Sequence, residues 1–168
     1  VTQIAPDVLY GCTSLKTAVI RAQTETIGQE CFRDCSSLSS VSLPGSLKGI
    51  AYGTFQGCSS LVNIDMPEDI TYIGTAAFYN CTSLKSIRIP QKVQDIYSQA
   101  FGSCSSLTSV EIPASVNNIV LGVGGKLNNF SAFNECENLK SITVNPANQV
   151  YKSYDGCIYN ANQTELLY

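Results

Sequence analysis

A repeat of 23 residues runs through this chain and limits the folds open to it. Its clearest unit spans residues 78–100, and eight of its positions recur in further units that begin at Phe32, Phe55 and Phe101. In the unit 78–100 these positions are Phe78, Cys81, Leu84, Ile87, Ile89, Pro90, Val93 and Ile96. A segment this short cannot bury an apolar face alone, so consecutive units must stack on one another. The repeat therefore predicts an elongated stack of coils that needs no single globular core.

The order of apolar residues within each unit predicts one coil of a leucine-rich solenoid. The pattern Leu-x-x-Ile-x-Ile, which begins at Leu84, indicates a short strand with its apolar side chains inward. Pro90 marks the strand end because proline has no N–H to donate. Val93 and Ile96 then return the chain over the core. We predict a leucine-rich-repeat solenoid of right-handed coils with one parallel β-sheet on its concave face, short helical or 3₁₀ turns and extended segments opposite, and a C-terminal β-hairpin.

The register of the repeat predicts a single solenoid domain over residues 1–168. Its parts are partial and degenerate repeats at 1–31, regular 23-residue repeats at 32–119, an insertion loop at 120–131, the last repeat at 132–146 and a terminal hairpin at 147–168. The turn sequence Asp155-Gly156 supports the hairpin. Val1 and Ile4 match the second half of a repeat, so we expect the chain to be a fragment of a longer protein.

The insertion breaks the period once. Phe133 follows Ile119 by 14 residues where five separate the same positions in earlier units, which leaves nine extra residues. The extra stretch contains Gly122, Gly124 and Gly125 but neither GxxxxGK[ST] nor GxGxxG. A phosphate-binding loop is one interpretation, and a projecting loop is the favoured one. Insertions in repeat arrays often form binding loops on one face.

The columns Ala-Phe-x-x-Cys-x-x-Leu-x-x-Ile-x-Ile-Pro-x-x-Val-x-x-Ile resemble the BspA-like class of leucine-rich repeats. The terminal Asn145-Pro146, Asp155-Gly156 and 166–168 segments are similar to a sequence that this family uses between or after repeat blocks. The resemblance implies a secreted or surface-anchored protein associated with adhesion to host proteins and other cells. It implies no shared catalytic residues. The degenerate first repeat and the insertion depart from the family pattern.

The types of residue in the chain argue against catalysis and against a metal site. The chain contains no His, which removes Ser-His-Asp and Cys-His mechanisms and the commonest metal ligand. Six of the eight cysteines share one repeat column: Cys12, Cys35, Cys58, Cys81, Cys104 and Cys136. Parallel side chains in such a column are poorly aimed for disulfides, so a ladder of buried reduced thiols is favoured over disulfides or a metal site. Cys31 occupies a small-residue position, and the burial of Cys157 stays open. We predict no enzyme, no cofactor and no metal.

Charge and hydropathy exclude two classes of partner. The net charge of −3 argues against nucleic acid, which is usually bound by a basic stripe. No apolar run approaches the ~20 residues of a spanning helix, so we expect no membrane insertion of this segment.

The outward-facing strand positions are the ones that the repeat leaves free. One column places Arg88 between Asp65 and Glu111, so opposite charges alternate across neighbouring strands. This alternation is typical of a solvated ion-pair ladder of little energetic value, and it is also compatible with a polar binding patch. The candidate binding surface consists of Asn63, Asp65, Ser86, Arg88, Ser109, Glu111, Gly122, Lys126 and Asn128.

These observations predict a non-enzymatic extracellular binding or adhesion module. Its repeat surface would face a host or cell-surface protein or a glycan, with the chain monomeric and located outside the cell or anchored to its surface. The alternative is a structural spacer or stalk that displays another domain and has no ligand of its own.

Overall fold

The computed structural model describes residues 2–121, 131–164 and 166–167. Within these residues the chain winds into stacked coils built from short strands, and the predicted leucine-rich-repeat solenoid is confirmed. The strands are β1 Gln3–Ile4, β2 Thr17–Val19, β3 Thr26–Ile27, β4 Ser40–Ser42, β5 Tyr72–Ile73, β6 Ile87–Arg88, β7 Asp95–Ile96, β8 Ser109–Ile112, β9 Asn118–Ile119, β10 Ser141–Val144, β11 Tyr151–Tyr154 and β12 Cys157–Asn160.

The Leu-x-x-Ile-x-Ile segments form the predicted parallel sheet. Strand β2 pairs with β4, and β8 pairs with both β6 and β10. In each pair, equivalent positions of two repeat units lie opposite one another. Residues 61–66, between β4 and β6, keep the same alternation of buried and exposed side chains without forming a strand. There the N–H of Lys85 donates to the carbonyl of Val62 at 3.1 Å. The sheet thus continues in register through a segment of looser pairing.

The return segments pair as well, which adds a second set of parallel strands to the single sheet that the sequence predicts. Strand β7 lies between β5 and β9, and β1 pairs with β3. Each of these strands contributes one isoleucine to the core, partly buried in β1 and buried in the others, and Ile73, Ile96 and Ile119 stack on one another. The carbonyl of the strand-ending proline starts the turn between the two sheets, for example from Pro90 to the N–H of Val93 at 3.2 Å.

The third side of each coil consists of tight turns, whereas the sequence predicts short helical or 3₁₀ segments. No helix occurs among the described residues. In five coils, two residues four positions apart adopt left-handed backbone angles with φ between 53° and 73° and interrupt any helix. These pairs are Asp7/Gly11, Glu30/Asp34, Gly53/Gly57, Ala76/Asn80 and Gln99/Ser103. This conformation directs N–H groups toward carbonyl groups of the next coil. The N–H of Ala76 donates to the carbonyl of Ser98 at 2.9 Å, and that of Asn80 donates to the carbonyl of Gly102 at 2.8 Å.

The core is a stack of identical side chains. Phe32, Phe55, Phe78, Phe101 and Phe133 are fully buried. Neighbouring rings lie 5.4–5.6 Å apart between centroids with interplanar angles of 1–13°. Such offset stacks add to the free energy of burial. The repeated phenylalanine is therefore scaffold, because each coil buries its ring between those of its neighbours.

The cysteine column runs beside this stack, and its predicted burial is confirmed for five of its six members. Cys12 is half-buried. Each thiol from Cys35 onward donates to a backbone carbonyl one coil away, as Cys81 does to Phe55 at 3.1 Å and Cys104 to Phe78 at 3.2 Å. Burial raises the pKa of the Cys81 thiol well above its ordinary value and that of Cys136 to about 11. The thiols therefore remain protonated donors that join one coil to the next.

The terminal hairpin is formed by β11 and β12, as predicted. Its turn has positive φ at Asp155 (50°) and Gly156 (78°), which matches a two-residue turn of type I′. Leu166 pairs with Tyr159, so the chain returns along β12. The predicted returning strand also includes residues 165 and 168, which lie outside the described residues, as do 122–130 of the predicted insertion loop.

Asn148 clamps the hairpin to the preceding coil. Its side chain is fully buried and donates to the carbonyls of Pro113 at 2.9 Å and Val116 at 2.8 Å. Its Oδ1 accepts from the N–H groups of Val150 and Tyr151, both at 2.8 Å. One side chain thereby satisfies four backbone groups where the repeat ends.

Candidate binding surfaces

The strand face is the exposed side of the first sheet, and it contains the six predicted site residues that the structure describes. Asn63, Asp65, Ser86, Arg88, Ser109 and Glu111 are all exposed. They share one face because they alternate with buried residues along each strand. The remaining three predicted residues, Gly122, Lys126 and Asn128, lie outside the described residues. A shared role for the nine residues stays a prediction.

Arg88 forms its ion pair at the end of the strand and not along it. The register places Arg88 opposite Glu111, in agreement with the sequence. Its guanidinium nevertheless binds Glu68, in the turn after Pro67, with Nη1 2.5 Å from the carboxylate. That hydrogen bond holds the pKa of Glu68 below its ordinary value. The alternating ladder inferred from the sequence is therefore replaced by a pairing across the turn.

The neighbouring carboxylate, Asp69, is also occupied. It lies 2.6 Å from the amine of Lys92 and 4.0 Å from that of Lys48, and the hydrogen bond from Lys92 lowers its pKa. All five groups of the ion pairs around Glu68 and Asp69 are solvent-exposed, so these ion pairs stabilise the fold little. Glu68 and Asp69 have separate cationic partners and do not form a catalytic pair of carboxylates.

A different surface, which we call the tyrosine surface, lies on the second sheet. It consists of Tyr52, Tyr72 and Tyr97, which line an open depression of ≈ 350 Å³ together with Gly74 and Thr75. Tyr52 is 42% exposed and Tyr97 39%. The three rings come from three consecutive repeat units and so span three neighbouring coils.

Small residues and a polar rim position these rings. The ring of Tyr72 lies across Gly49, where an added Cβ would come within 2.2 Å of the ring. Beside it, Asp95 stands opposite Tyr72 in the parallel register and accepts a hydrogen bond from the Asn118 amide at 3.1 Å. Aromatic rings at the centre with polar groups at the edge are typical of protein interfaces.

The 23-residue period of the sequence does not indicate the tyrosine surface. Tyr52, Tyr72 and Tyr97 are separated by 20 and 25 residues, so they belong to three different columns of the repeat. They lie close together because the three columns are near one another along the return segment. Each tyrosine lies one coil further along the stack than the one before it, which accounts for most of the separation in sequence. The available signal was the abundance of tyrosine, nine residues in a chain without tryptophan.

Two kinds of reactive group would support chemistry among the described residues, a metal cluster and an activated thiol of the cysteine column. These residues contain no group of three or more His, Cys, Asp or Glu side chains that could hold a metal ion. The column thiols from Cys58 to Cys136 have raised pKa values through burial, which disfavours the nucleophilic thiolate. No helix in this part of the chain is long and apolar enough to cross a membrane.

Comparison with solved structures finds the same architecture in bacterial proteins. A leucine-rich repeat protein of T. pallidum is 33% identical, with a TM-score of 0.76 over 84% of this chain and 62% of its own. A leucine-rich cell surface protein of Faecalibacterium prausnitzii A2-165 is 31% identical, with a TM-score of 0.79 over 95% of this chain and 40% of its own. The pneumococcal vaccine antigen PcpA, at 24% identity and a TM-score of 0.77 over 99% of this chain and 40% of its own, shares the fold.

The chain thus spans less than two thirds of the length of each of these proteins. A comparison with curated protein sequences finds no match. The profile of the BspA type leucine rich repeat region matches in six copies over residues 2–122, which is most of the chain. By this match and by its solenoid fold, the chain belongs to the BspA type leucine-rich repeat family.

Proposed function

We propose that this chain is a non-enzymatic binding module that docks a protein partner through the tyrosine surface. The observation that carries the proposal is the cluster of Tyr52, Tyr72 and Tyr97 around an open depression on three neighbouring coils. Tyrosine is enriched in protein interfaces because it combines a large apolar area with a hydroxyl group and loses little conformational entropy when it is fixed.

The scaffold does not require these aromatic rings. The positions equivalent to Tyr72 in the neighbouring repeats hold Gly49, Asp95 and Asn118, and the position of Tyr52 holds Thr75 in the next unit. The core stack, by contrast, keeps phenylalanine in each of five successive coils. Partly exposed aromatic side chains that the fold does not need are candidates for interaction.

An extracellular or surface-anchored location fits the same proposal. The similar protein of Faecalibacterium prausnitzii is described as a leucine-rich cell surface protein. We propose that this chain acts outside the cell as a monomeric module with a protein ligand of a host or another cell. A glycan at the same rings and a spacer without a ligand are the competing outcomes.

The test is a saturation-binding screen against purified extracellular-matrix and cell-surface proteins and neutral glycans, followed by biolayer interferometry on every hit. The variant is Tyr52→Ala/Tyr72→Ala/Tyr97→Ala. The matched control is Tyr10→Ala/Tyr154→Ala, which removes two exposed tyrosines from other surfaces (48% and 71% exposed).

The proposal expects saturable binding of a protein that the triple variant loses by tenfold or more and the control retains, with similar circular dichroism spectra throughout. Equal binding by the wild type and the triple variant would place the interface elsewhere. Glycan binding lost in the triple variant would favour a glycan ligand, and no saturable binding would favour the spacer. Each of these three results overturns the proposal.

A further inference from the structure

We infer that the strand face carries a separate anion site for an acidic glycan, at a depression lined by two lysines. This lysine depression has a volume of ≈ 450 Å³ and is lined by Lys85, Ser106, Thr108, Asn138 and Lys140. The volume falls in the range of small-ligand sites, roughly 300–1,000 Å³. The inference does not depend on the tyrosine surface, because the two share no lining residue.

The parallel sheet brings the two lysines together from distant points of the sequence. Lys85 precedes β6, Thr108 precedes β8 and Lys140 precedes β10, and these strands are adjacent in the order β10-β8-β6. The N–H of Lys140 donates to the carbonyl of Thr108 at 3.0 Å, which fixes the spacing of the outer coils. At about 4.8 Å between strands, the two lysine Cα atoms lie roughly 10 Å apart on either side of Thr108.

Their charges are uncompensated within the described residues. Lys48 and Lys92 pair with Asp69, and Arg88 pairs with Glu68. Neither Lys85 nor Lys140 has an ion pair or a side-chain hydrogen bond among the described residues, and no carboxylate lines the depression. Two lysines that lack an ionic partner among the described residues thus line one depression in a chain whose net charge is −3. Their mutual repulsion would fall when an anion binds between them.

The other lining groups select the chemistry of that anion. Ser106 and Thr108 offer hydroxyls, and the Asn138 amide is fixed by a hydrogen bond from its nitrogen to the carbonyl of Ser105 at 2.7 Å. Such groups can hydrogen-bond the hydroxyls of a sugar ring while the two ammonium groups bind a sulfate or carboxylate.

The same lining argues against two other anionic partners. An acidic peptide would gain affinity from aromatic or aliphatic anchor pockets, and the depression has no such side chain in its lining. A nucleic acid would need a longer basic stripe to neutralise several phosphates. A sulfated or carboxylated glycan is therefore the ligand class that this lining fits.

The experiment measures binding of heparin, hyaluronan and dextran oligosaccharides of equal length, and of a polyglutamate peptide, by isothermal titration calorimetry. The variant is Lys85→Ser/Lys140→Ser. The control, Lys48→Ser/Lys92→Ser, makes the same change in net charge at two lysines that already pair with Asp69.

We expect saturable binding of heparin or hyaluronan, a loss of at least tenfold in the Lys85/Lys140 variant, and less than a twofold change in the control. Raising the salt concentration should weaken the binding, because exposed charges are screened. The preference between heparin and hyaluronan distinguishes a sulfate ligand from a carboxylate ligand.

Three results would overturn the site: no saturable glycan binding, equal losses in both double variants, or a preference for polyglutamate. The tyrosine triple variant should bind the glycan like the wild type. A failure of the lysine site therefore leaves the proposed protein-binding function untouched, and the reverse also holds.

Discussion

Alkaline pH should destabilise this solenoid because of its thiol column. Four buried thiols, Cys58, Cys81, Cys104 and Cys136, have pKa values raised chiefly by burial. Each also donates a hydrogen bond to a carbonyl of the coil before it, which only the protonated thiol can do. The folded chain therefore holds these protons at a pH where the unfolded chain releases them.

The sign and size of the effect follow from this difference. A raised folded-state pKa gives stability that is fully present below the unfolded pKa, close to 9.0, and is lost as the pH rises toward the folded value. The most accessible of the four, Cys136, has its pKa raised to about 11, so the loss extends over the range from pH 9 to 11. Each thiol loses about 1.4 kcal/mol per pH unit in that range. Four thiols together lose on the order of 5 kcal/mol by pH 10, which approaches the whole stability of an ordinary domain.

Urea denaturation at pH 7, 8, 9 and 10 under reducing conditions, followed by circular dichroism, measures this loss. The comparison is with Cys81→Ala/Cys104→Ala, which should be less stable at pH 7 but should lose about 3 kcal/mol less than the wild type per pH unit above pH 9, because two thiols no longer contribute. Cys31, Cys35 and Tyr151, whose pKa values are also raised by burial, are present in both proteins and cancel in the difference between the two slopes. Equal pH slopes in the two proteins would refute the reasoning, as would a wild-type stability that is flat up to pH 10.

Five substitutions test the scaffold itself by urea denaturation. Phe78→Ala should lower the free energy of unfolding by about 3–5 kcal/mol. It should cost roughly 1 kcal/mol more than Phe32→Ala, since among the described residues Phe78 stacks on two rings and Phe32 on one, that of Phe55; equal losses would contradict the stack. Gly74→Ala should destabilise the chain because its Cβ would lie 2.8 Å from a backbone carbonyl, while Gly49→Ala meets only a movable tyrosine ring and should leave the midpoint nearly unchanged. Asn148→Asp should remove about 3 kcal/mol or more, because two buried carbonyls lose their donor, and an unchanged midpoint would rule out the clamp.

The core was predictable because its side chains recur at a constant interval in the sequence. Each coil must bury the same side chains against the coil before it, so the positions of Phe78, Cys81 and Leu84 recur at a constant interval and identify themselves as scaffold. The same logic predicted the strands, the strand-ending prolines and the terminal hairpin, whose Asp155-Gly156 turn has a strong local signature.

The backbone of the turns was not predictable in the same way. The left-handed positions hold Glu30, Gly53, Ala76 and Gln99 in successive coils, so only one of the four is the residue expected there. The conformation is imposed by hydrogen bonds between coils and not by the local preference of each residue. One example is the N–H of Phe78, which donates to the carbonyl of Ala100 at 2.8 Å. The sequence pattern therefore predicted a short turn correctly, but it predicted a helical or 3₁₀ turn where the chain forms tight turns with left-handed residues.

The exposed surfaces were the least predictable part. The columns of the repeat group residues 23 positions apart, which places Asp65, Arg88 and Glu111 together but separates the three tyrosines. The columns also do not show that Arg88 binds Glu68 at the end of the strand, because the register of a strand does not fix the direction of a long side chain. Side chains that meet across different columns become visible only when the coils are stacked.

The stacking of coils makes the two proposed sites independent, and this leads to a last prediction. The tyrosine surface occupies the units from Tyr52 to Tyr97, the lysine depression those from Lys85 to Lys140, and they overlap only in the unit 78–100. Each coil contacts only its neighbours, so substitutions on the two exposed faces of that unit have no shared partner through which to couple. A protein that combines Tyr97→Ala with Lys85→Ser should lose protein and glycan binding by the same factors as the single variants, measured by interferometry and calorimetry. A combined loss that departs from the product of the single factors by more than about twofold would show that the coils transmit a change from one face to the other, against the rigid stack of buried rings described above.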